Sequence, residues 1–251
     1  RNSYYGAGKD PNAYGSTKNE TYAAGVQFNH YITESDYGSH VMTFGYEYSR
    51  DWIKDIALGY NRVINQTTQN HAVYLQDDWE FYESLDLVFG GRFDKNNHID
   101  NVIFSPRVNL LYRLTDNISL RGNFSTGFRA PQAFDEDLHI TQVGGTGMVL
   151  KLGDNLKPEY SKSYGLSFDY NEKILDMPFS VSIEYFQTRL TDVFVLTDGG
   201  SDTKGNTIMV RENGKGSKVY GSTIELRFAP IEEIDLSGGF TIQQALLDEP
   251  V

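Results

Sequence analysis

Three consecutive acidic residues, Asp135, Glu136 and Asp137, are the first candidates for chemistry in this sequence. Carboxylate oxygens are the ligands that calcium prefers in proteins, so this run could hold a cation. The run lacks the alternating aspartate or asparagine spacing and the mid-loop glycine of a dedicated calcium loop. A solvated charge run is therefore the favoured interpretation, and we predict neither a metal site nor a cofactor.

Five arginines recur in polar rows of the chain and could either attract an anionic ligand or pair with carboxylates such as Glu225: Arg92, Arg107, Arg113, Arg121 and Arg129. Arg129 is the strongest candidate for ligand contact, because Pro131 follows it closely and cannot donate to a strand ladder. Pro131 thus marks where a strand ends and a long loop begins. We predict that the ligand-binding residues lie at this mouth and in this loop: Arg129, Gln132, Asp135, Glu136, Asp137 and His139.

The sequence offers no constellation that catalysis needs. Its five histidines are scattered and form no His-x-x-x-His pair. Of these, His98 and His139 lie in predicted loops, where a solvated histidine is the favoured interpretation. The glycine-rich stretch 144–147 is not a phosphate loop, because no lysine directly follows it and no helix is indicated. No nucleophile–base pair is recognisable in the loops, which disfavours a hydrolase, and we predict that the protein is not an enzyme.

Two long alternating segments indicate the elements that position these residues. Segment 104–114 and segment 118–129 alternate apolar and polar side chains almost without exception, and only residues 115–117 join them. A period of two predicts strands, because successive side chains of a strand point to opposite faces. A soluble strand is typically about 5–6 residues long, whereas a tilted membrane-crossing strand needs about 9–11. We therefore predict a pair of membrane-crossing strands.

Similar hairpins recur along the whole chain. The alternation predicts ten main strands, at 21–33, 40–50, 69–81, 85–94, 103–114, 117–128, 160–170, 177–189, 218–228 and 234–246. Shorter candidates lie at 4–8, 193–197 and 207–211. Short connections alternate with long ones, which are 51–68, 95–102, 129–159, 190–217 and the end beyond 246. An outer-membrane barrel has short periplasmic turns and long external loops, so the pattern predicts an all-β, antiparallel transmembrane β-barrel.

Composition limits the partners. The 251 residues include 34 acidic and 22 basic side chains, a net charge of −12, which argues against binding to nucleic acid. The absence of cysteine excludes disulfides and thiolate chemistry. No window approaches the roughly 18 consecutive apolar residues of a transmembrane helix.

Five stretches together resemble the barrel of a TonB-dependent outer-membrane receptor. The longest runs from Ser105 to Arg113 and on through the sequence Gly-Phe-Arg-Ala-Pro at 127–131. The other four are the stretches 74–79 (YLQDDW), 90–94 (GGRFD) and 156–159 (LKPE), and the group formed by Asn213, Gly214, 219–221 (VYG) and 225–226 (EL). They occur in the order that the family would have them and span residues 71–228, which is most of the chain.

The resemblance implies a larger barrel, typically of 22 strands, of which this chain would supply ten or more. Residues 1–251 are accordingly predicted to be a partial barrel domain, with the plug domain and the closing strands outside the chain. The resemblance further implies import of a scarce nutrient, namely a ferric siderophore, haem or cobalamin. The implied setting is the outer membrane of a Gram-negative bacterium, with the TonB complex acting through the plug. In that setting the acidic run 135–137 would be solvated or associated with lipopolysaccharide.

Two alternatives remain open from the sequence. A glycan importer of the same superfamily would share the strand pattern, although such barrels are longer. A passive porin or an adhesin-like barrel would share the alternation but not the five stretches.

Overall fold

The computed structural model of the protein describes residues 2–5, 14–33, 35–58, 62–132, 142–143, 146–153, 155–203 and 205–248. Within those ranges the chain forms fifteen β-strands and no α-helix. None of the described residues belongs to a helix long and apolar enough to cross a membrane.

The strands follow the alternating segments of the sequence. The first eight are β1 (Asn2–Tyr5), β2 (Tyr14–Ile32), β3 (Ser39–Ala57), β4 (Arg62–Tyr82), β5 (Leu85–Asn96), β6 (Ile103–Arg113), β7 (Ile118–Arg129) and β8 (Gln142–Val143). The remaining seven are β9 (Thr146–Leu152), β10 (Glu159–Ile174), β11 (Met177–Thr191), β12 (Phe194–Ser201), β13 (Thr207–Asn213), β14 (Gly216–Ile231) and β15 (Ile234–Leu247). All ten main strands predicted from the alternation are confirmed.

Eleven strands form one antiparallel sheet in the order β1-β2-β3-β4-β5-β6-β7-β10-β11-β14-β15. Each strand therefore lies beside the next sheet strand in the chain, as in a succession of hairpins. Short turns join the strands at one end of the sheet, here called the turn end, around 35–38, 83–84, 114–117, 175–176 and 232–233. The opposite end, where the long connections lie, is called the loop end. In the described part of the chain β1 and β15 are the two outer strands, so the barrel is not closed.

Two of the predicted loops contain strands. Segment 129–159 includes β8 and β9, and segment 190–217 includes β12 and β13; together these form a second sheet in the order β12-β13-β9-β8. The shorter candidates at 193–197 and 207–211 correspond to β12 and β13. The predicted loop 51–68 is wrong over most of its length, because β3 and β4 stay paired there, as in the partnership of Asp51 with Thr68. Candidate strand 4–8 corresponds to β1 only up to residue 5, and residues 6–8 lie outside the described ranges.

The main sheet has two faces of opposite character. One row on the apolar face crosses five neighbouring strands and consists of Leu120, Phe168, Ile183, Ile224 and Phe240. The row one residue away on the polar face consists of Arg121, Ser167, Glu184, Thr223 and Thr241. The large apolar side chains are exposed, with Phe240 at 68% and Leu166 at 64%. Such exposure suits a lipid environment, because lipid-facing and lumen-facing residues alternate along a barrel strand.

Candidate functional site

Arg92 on β5 is the centre of a charged cluster on the polar face. Its Nη1 lies 2.5 Å from Oε2 of Glu47 on β3, and its Nε donates to both carboxylate oxygens of Asp94 at 3.1 Å. Asp94 is only 2% exposed and also accepts a 2.7 Å hydrogen bond from Nδ2 of Asn70. A buried carboxylate needs such partners, because an unpaired charge in a dry site is costly. The cluster therefore fixes Arg92 between two acids.

Tyr74 on β4 covers the neighbouring strand beside this cluster. Its hydroxyl donates to Oε1 of Gln27 at 3.0 Å, and the guanidinium carbon of Arg92 lies 6.0 Å from the centre of its ring. The ring crosses β3 at Gly45, where a Cβ atom would lie 2.1 Å from Cζ of Tyr74. Only glycine leaves room for this arrangement, so the sequence at Gly45 determines where the tyrosine lies.

Arg107 on β6 differs from Arg92 in having no fixed partner. Within the described ranges, its exposed guanidinium makes neither an ion pair nor a hydrogen bond. It shares a row with Gly90 and Gln76, and the buried Oε1 of Gln76 accepts no hydrogen bond there. A concave region of about 510 Å³ runs along Arg107 and Gln76 and also touches Arg92, Tyr74 and Glu47. The exposed guanidinium of Arg107 can therefore offer hydrogen-bond donors to whatever fills the polar side.

Two further arginines pair with carboxylates close to the turn end. Nη2 of Arg113 lies 2.6 Å from Oδ2 of Asp86, and Nη1 of Arg121 lies 2.7 Å from Oδ2 of Asp169. The predicted ion pairing of the lumen arginines is thus present, although Asp169, rather than Glu225, is the carboxylate that pairs with Arg121. These two arginines are occupied by structural contacts.

Arg129 ends β7 at the loop end, where the sequence places the mouth. Its guanidinium carbon lies 5.9 Å from the ring centre of Phe194, and that of Arg211 lies at the same distance from the same ring. Arg211 is 7% exposed, whereas Arg129 is exposed. Gln132 is half-buried three residues later. The other predicted site residues, Asp135, Glu136, Asp137 and His139, lie outside the described ranges.

Asn213, which belongs to one of the five stretches that resemble the family, connects segments 129–159 and 190–217. Asn213 accepts a 2.7 Å hydrogen bond from the backbone N–H of Lys157 and donates to the carbonyls of Lys157 and Asp192 at 3.0 and 2.6 Å. Strands β9 and β13 pair in parallel beside it. An asparagine can bridge loops in this way because its amide offers both donors and an acceptor. A single asparagine in a loop gives no periodic signal, which is why its role was missed.

The histidines at the loop end and at the turn end have structural contacts. His98 lies against β4, with Nε2 3.2 Å from Oγ1 of Thr68, and burial lowers the pKa of its ring. His40 lies 2.9 Å from Oδ2 of Asp77 and stacks on Trp79. Among the described residues, no three metal-ligating side chains come together.

Comparison with known proteins gives these features a context. The profile of the family described as "TonB dependent receptor-like, beta-barrel" matches residues 1–249. The iron-regulated outer membrane virulence protein of Vibrio cholerae is 29% identical over 211 residues, which cover 81% of this chain and 32% of that protein. A probable TonB-dependent siderophore receptor of Acinetobacter baumannii is 23% identical over 215 residues, or 73% of this chain and 27% of that protein. The chain thus spans about a third of the length of these relatives.

A solved structure shows the same fold. The crystal structure of the siderophore receptor PirA from Pseudomonas aeruginosa superposes with a TM-score of 0.80 at 20% sequence identity. The superposition covers 92% of this chain and 44% of that one. At this identity the likeness concerns the fold, namely an antiparallel barrel wall.

Proposed function

The chain belongs to the family of TonB dependent receptor-like β-barrels, and from that premise we propose that the whole protein imports a ferric siderophore. The family consists of transporters and receptors rather than enzymes, and its members lie in the outer membrane of Gram-negative bacteria. The observation that carries the proposal is the alignment of four-fifths of the chain, 81%, with a protein named as iron-regulated. The two-faced sheet supports it, because a polar inner wall is what a barrel with a filled lumen requires.

The proposed route begins at the loop end. Arg129 presents an exposed guanidinium there, and Gln132 lies just beyond it in the same loop. Guanidinium groups bind anionic oxygens through charge-assisted hydrogen bonds, so an iron chelate with exposed oxygens is a suitable ligand. The acidic residues Asp135, Glu136 and Asp137 and the nearby His139 belong to the same proposed binding loop.

The polar face is proposed to surround the plug domain of the whole protein. On this proposal, residues 1–251 are part of a larger barrel, and the open sheet is completed by further strands. The TonB complex would act on the plug and not on this wall. Arg107 supports the proposal, because its exposed guanidinium has no ion pair or hydrogen bond among the described residues of the polar face.

The test is uptake by cells with and without the full-length gene, grown under iron limitation. Radiolabelled iron would be supplied as ferric catecholate and ferric hydroxamate chelates, with haem and labelled cobalamin as parallel substrates. Loss of uptake of one ferric chelate in the deletion strain, restored by the gene on a plasmid, is the expected result. Retained uptake of both chelates would overturn the siderophore proposal, and selective loss of haem or cobalamin would replace it.

Energy dependence separates active import from a passive barrel. Uptake through the proposed receptor should stop when a protonophore collapses the inner-membrane gradient. A porin would continue to admit its solute under the same treatment. Growth on defined oligosaccharides, compared between the same two strains, would reveal a glycan importer.

A further inference from the structure

Three basic side chains lie side by side on the apolar face at the loop end. Lys162 on β10 is the register partner of Arg189 on β11, and Arg189 is the partner of Lys218 on β14. Neighbouring strands are about 4.8 Å apart, so the three groups span about 10 Å. Like charges directly opposite each other on a sheet are unfavourable. In a chain with 34 acidic and 22 basic residues, such a row is a specific feature and not a result of composition.

The row lies at the rim of the apolar band. Along β14 the residues that follow Lys218 on the same face are Tyr220, Ser222, Ile224, Leu226 and Phe228. Ten residues of strand rise about 34 Å, which is about 26 Å of height at a tilt of about 40° and matches the apolar band of about 25 Å. Lys218 therefore lies at the loop-end edge of the band.

The neighbouring rows show where this edge is. Tyr164 and Tyr220 come directly below the basic row on β10 and β14, and aromatic residues of this kind form the girdles at membrane interfaces. The row above consists of Tyr160, Thr191 and Gly216, and Asp248 lies beside Gly216. The basic row is thus placed at the level of the lipid headgroups on the loop side.

The local charge of the row stays positive. Arg189 Nη2 lies 2.8 Å from Oδ2 of Asp248, yet the arginine side chain is still 47% exposed. The amine of Lys218 lies 4.7 Å from the ring centre of Tyr220. In the part of the chain that the structure describes, Lys162 has no ion pair. The four groups therefore carry a net charge of about +2, with Asp248 orienting the guanidinium.

We propose that Lys162, Arg189 and Lys218 form a binding site for the phosphate groups of lipopolysaccharide in the outer leaflet. Lysine and arginine are the donors that bind phosphate, and the row is open only towards the lipid side. The site rests on the outer-membrane location of the family and not on the identity of the imported ligand. It gives the barrel a fixed contact with the lipid on its external side.

The test uses the full-length receptor, purified in detergent, and two lipid probes. Bisphosphorylated lipid A and enzymatically dephosphorylated lipid A would each be titrated against the protein, with binding read by native mass spectrometry in the presence of a chelator of divalent cations. The triple variant K162Q/R189Q/K218Q should bind the bisphosphorylated lipid about 10- to 100-fold more weakly, since each basic group near a charged lipid surface contributes about tenfold or less. Its binding of the dephosphorylated lipid should not change.

Matched variants keep the test specific. Lys162→Gln should weaken binding, whereas Lys173→Gln, which removes one charge from the turn end of the same strand, should not. Lys218→Arg should preserve binding, and the single variants replace the triple one if it does not fold. Equal affinity of the wild type for the two lipids, or of Lys162→Gln and the wild type for the phosphorylated lipid, would overturn the proposal. Displacement by an equal concentration of inorganic phosphate would also overturn it, as that would indicate a generic anion site.

The uptake assay distinguishes this proposal from the proposed import function. Variants that lose lipid binding should still import the ferric chelate when they reach the membrane in normal amount. Loss of chelate uptake in the deletion strain supports the import function. Weaker binding of phosphorylated lipid A by the purified variants than by the wild type supports the lipid site. A negative result in the uptake assay would overturn only the import function, and a negative result in the lipid-binding assay would overturn only the lipid site.

Discussion

The two faces of the main sheet are stabilised in different ways, although their residues are only one position apart in the chain. Leu166 and Phe168 on the apolar face need no partner, since the surrounding lipid accepts them. Ser167 and Asp169 between and beside them lie on the polar face, where Asp169 accepts a hydrogen bond from Arg121. One face is stabilised by its environment and the other by specific contacts. A slip of one residue in register would place each set in the wrong surroundings.

Substitution by a charged residue should give the largest difference in stability between the two faces. Leu166→Arg would put a guanidinium into the middle of the apolar band and should lower the free energy of unfolding by about 2–4 kcal/mol. Ser167→Arg, one residue later on the polar face, should cost far less. Urea unfolding of the receptor in lipid vesicles, followed by tryptophan fluorescence, measures both. Equal losses would show that the faces are assigned wrongly.

Within the polar face, replacement of a paired arginine should reduce stability more than replacement of an unpaired one. Arg92→Met would leave the buried carboxylate of Asp94 with a single hydrogen bond from Asn70, at a cost of about 1–3 kcal/mol. Arg107→Met removes no contact of the described residues and should be nearly neutral. The same unfolding assay applies. A large loss at Arg107 in the full-length protein would reveal a partner supplied by the plug.

Replacement of glycine by alanine should reduce stability on the polar face but not on the apolar face. Gly45→Ala would bring a Cβ atom within 2.1 Å of Tyr74 Cζ and displace that ring, at a cost of about 1–3 kcal/mol. Gly238→Ala on the apolar face meets nothing within 4 Å and should be tolerated. Thermal unfolding of the two variants measures the difference. Identical midpoints would mean that Tyr74 moves aside without loss.

The smallest expected effect is a dependence on pH at the loop end of the polar face. Because burial lowers the pKa of His98, folding favours its neutral ring. Its contribution to stability is therefore complete above the unfolded pKa of about 6.5 and is lost as the pH falls below that value towards the folded pKa. His98→Gln should flatten this part of the profile of unfolding free energy against pH. His30→Gln, at an exposed position on β2, is the matched control.

Most of the main sheet can be predicted from the sequence, because its paired strands are neighbours in the chain. Residues 104–114 and 118–129 alternate so regularly that their pairing, with Arg107 opposite Ser125, follows from the turn length. At the loop end, the alternation of apolar and polar residues no longer indicates the strands. The paired residues Asp51 and Thr68 are both polar, so β3 and β4 lack apolar alternation there and were predicted to be a loop.

The candidate site is less predictable than the wall. Alternation predicts that Arg92 lies on the polar face beside Asp94, but the pairing of Arg92 with Glu47 depends on a register that spans 45 residues of sequence. The parallel pairing of β9 with β13 is equally non-local, as Thr207 lies opposite Met148. The ligand contacts of Arg129 and Gln132 stay a prediction, since binding depends on loop residues that carry no periodic pattern.

The order of strands in the main sheet has a consequence for how such a barrel can change in evolution. Each strand lies beside the next sheet strand in the chain, so every pair of strands returns the chain to the end of the sheet from which it started. Gain or loss of one strand would exchange inside and outside for all connections that follow. Gain or loss of a hairpin would preserve them. The girth of the barrel can therefore change only in even steps, and a duplicated hairpin is the natural unit of that change.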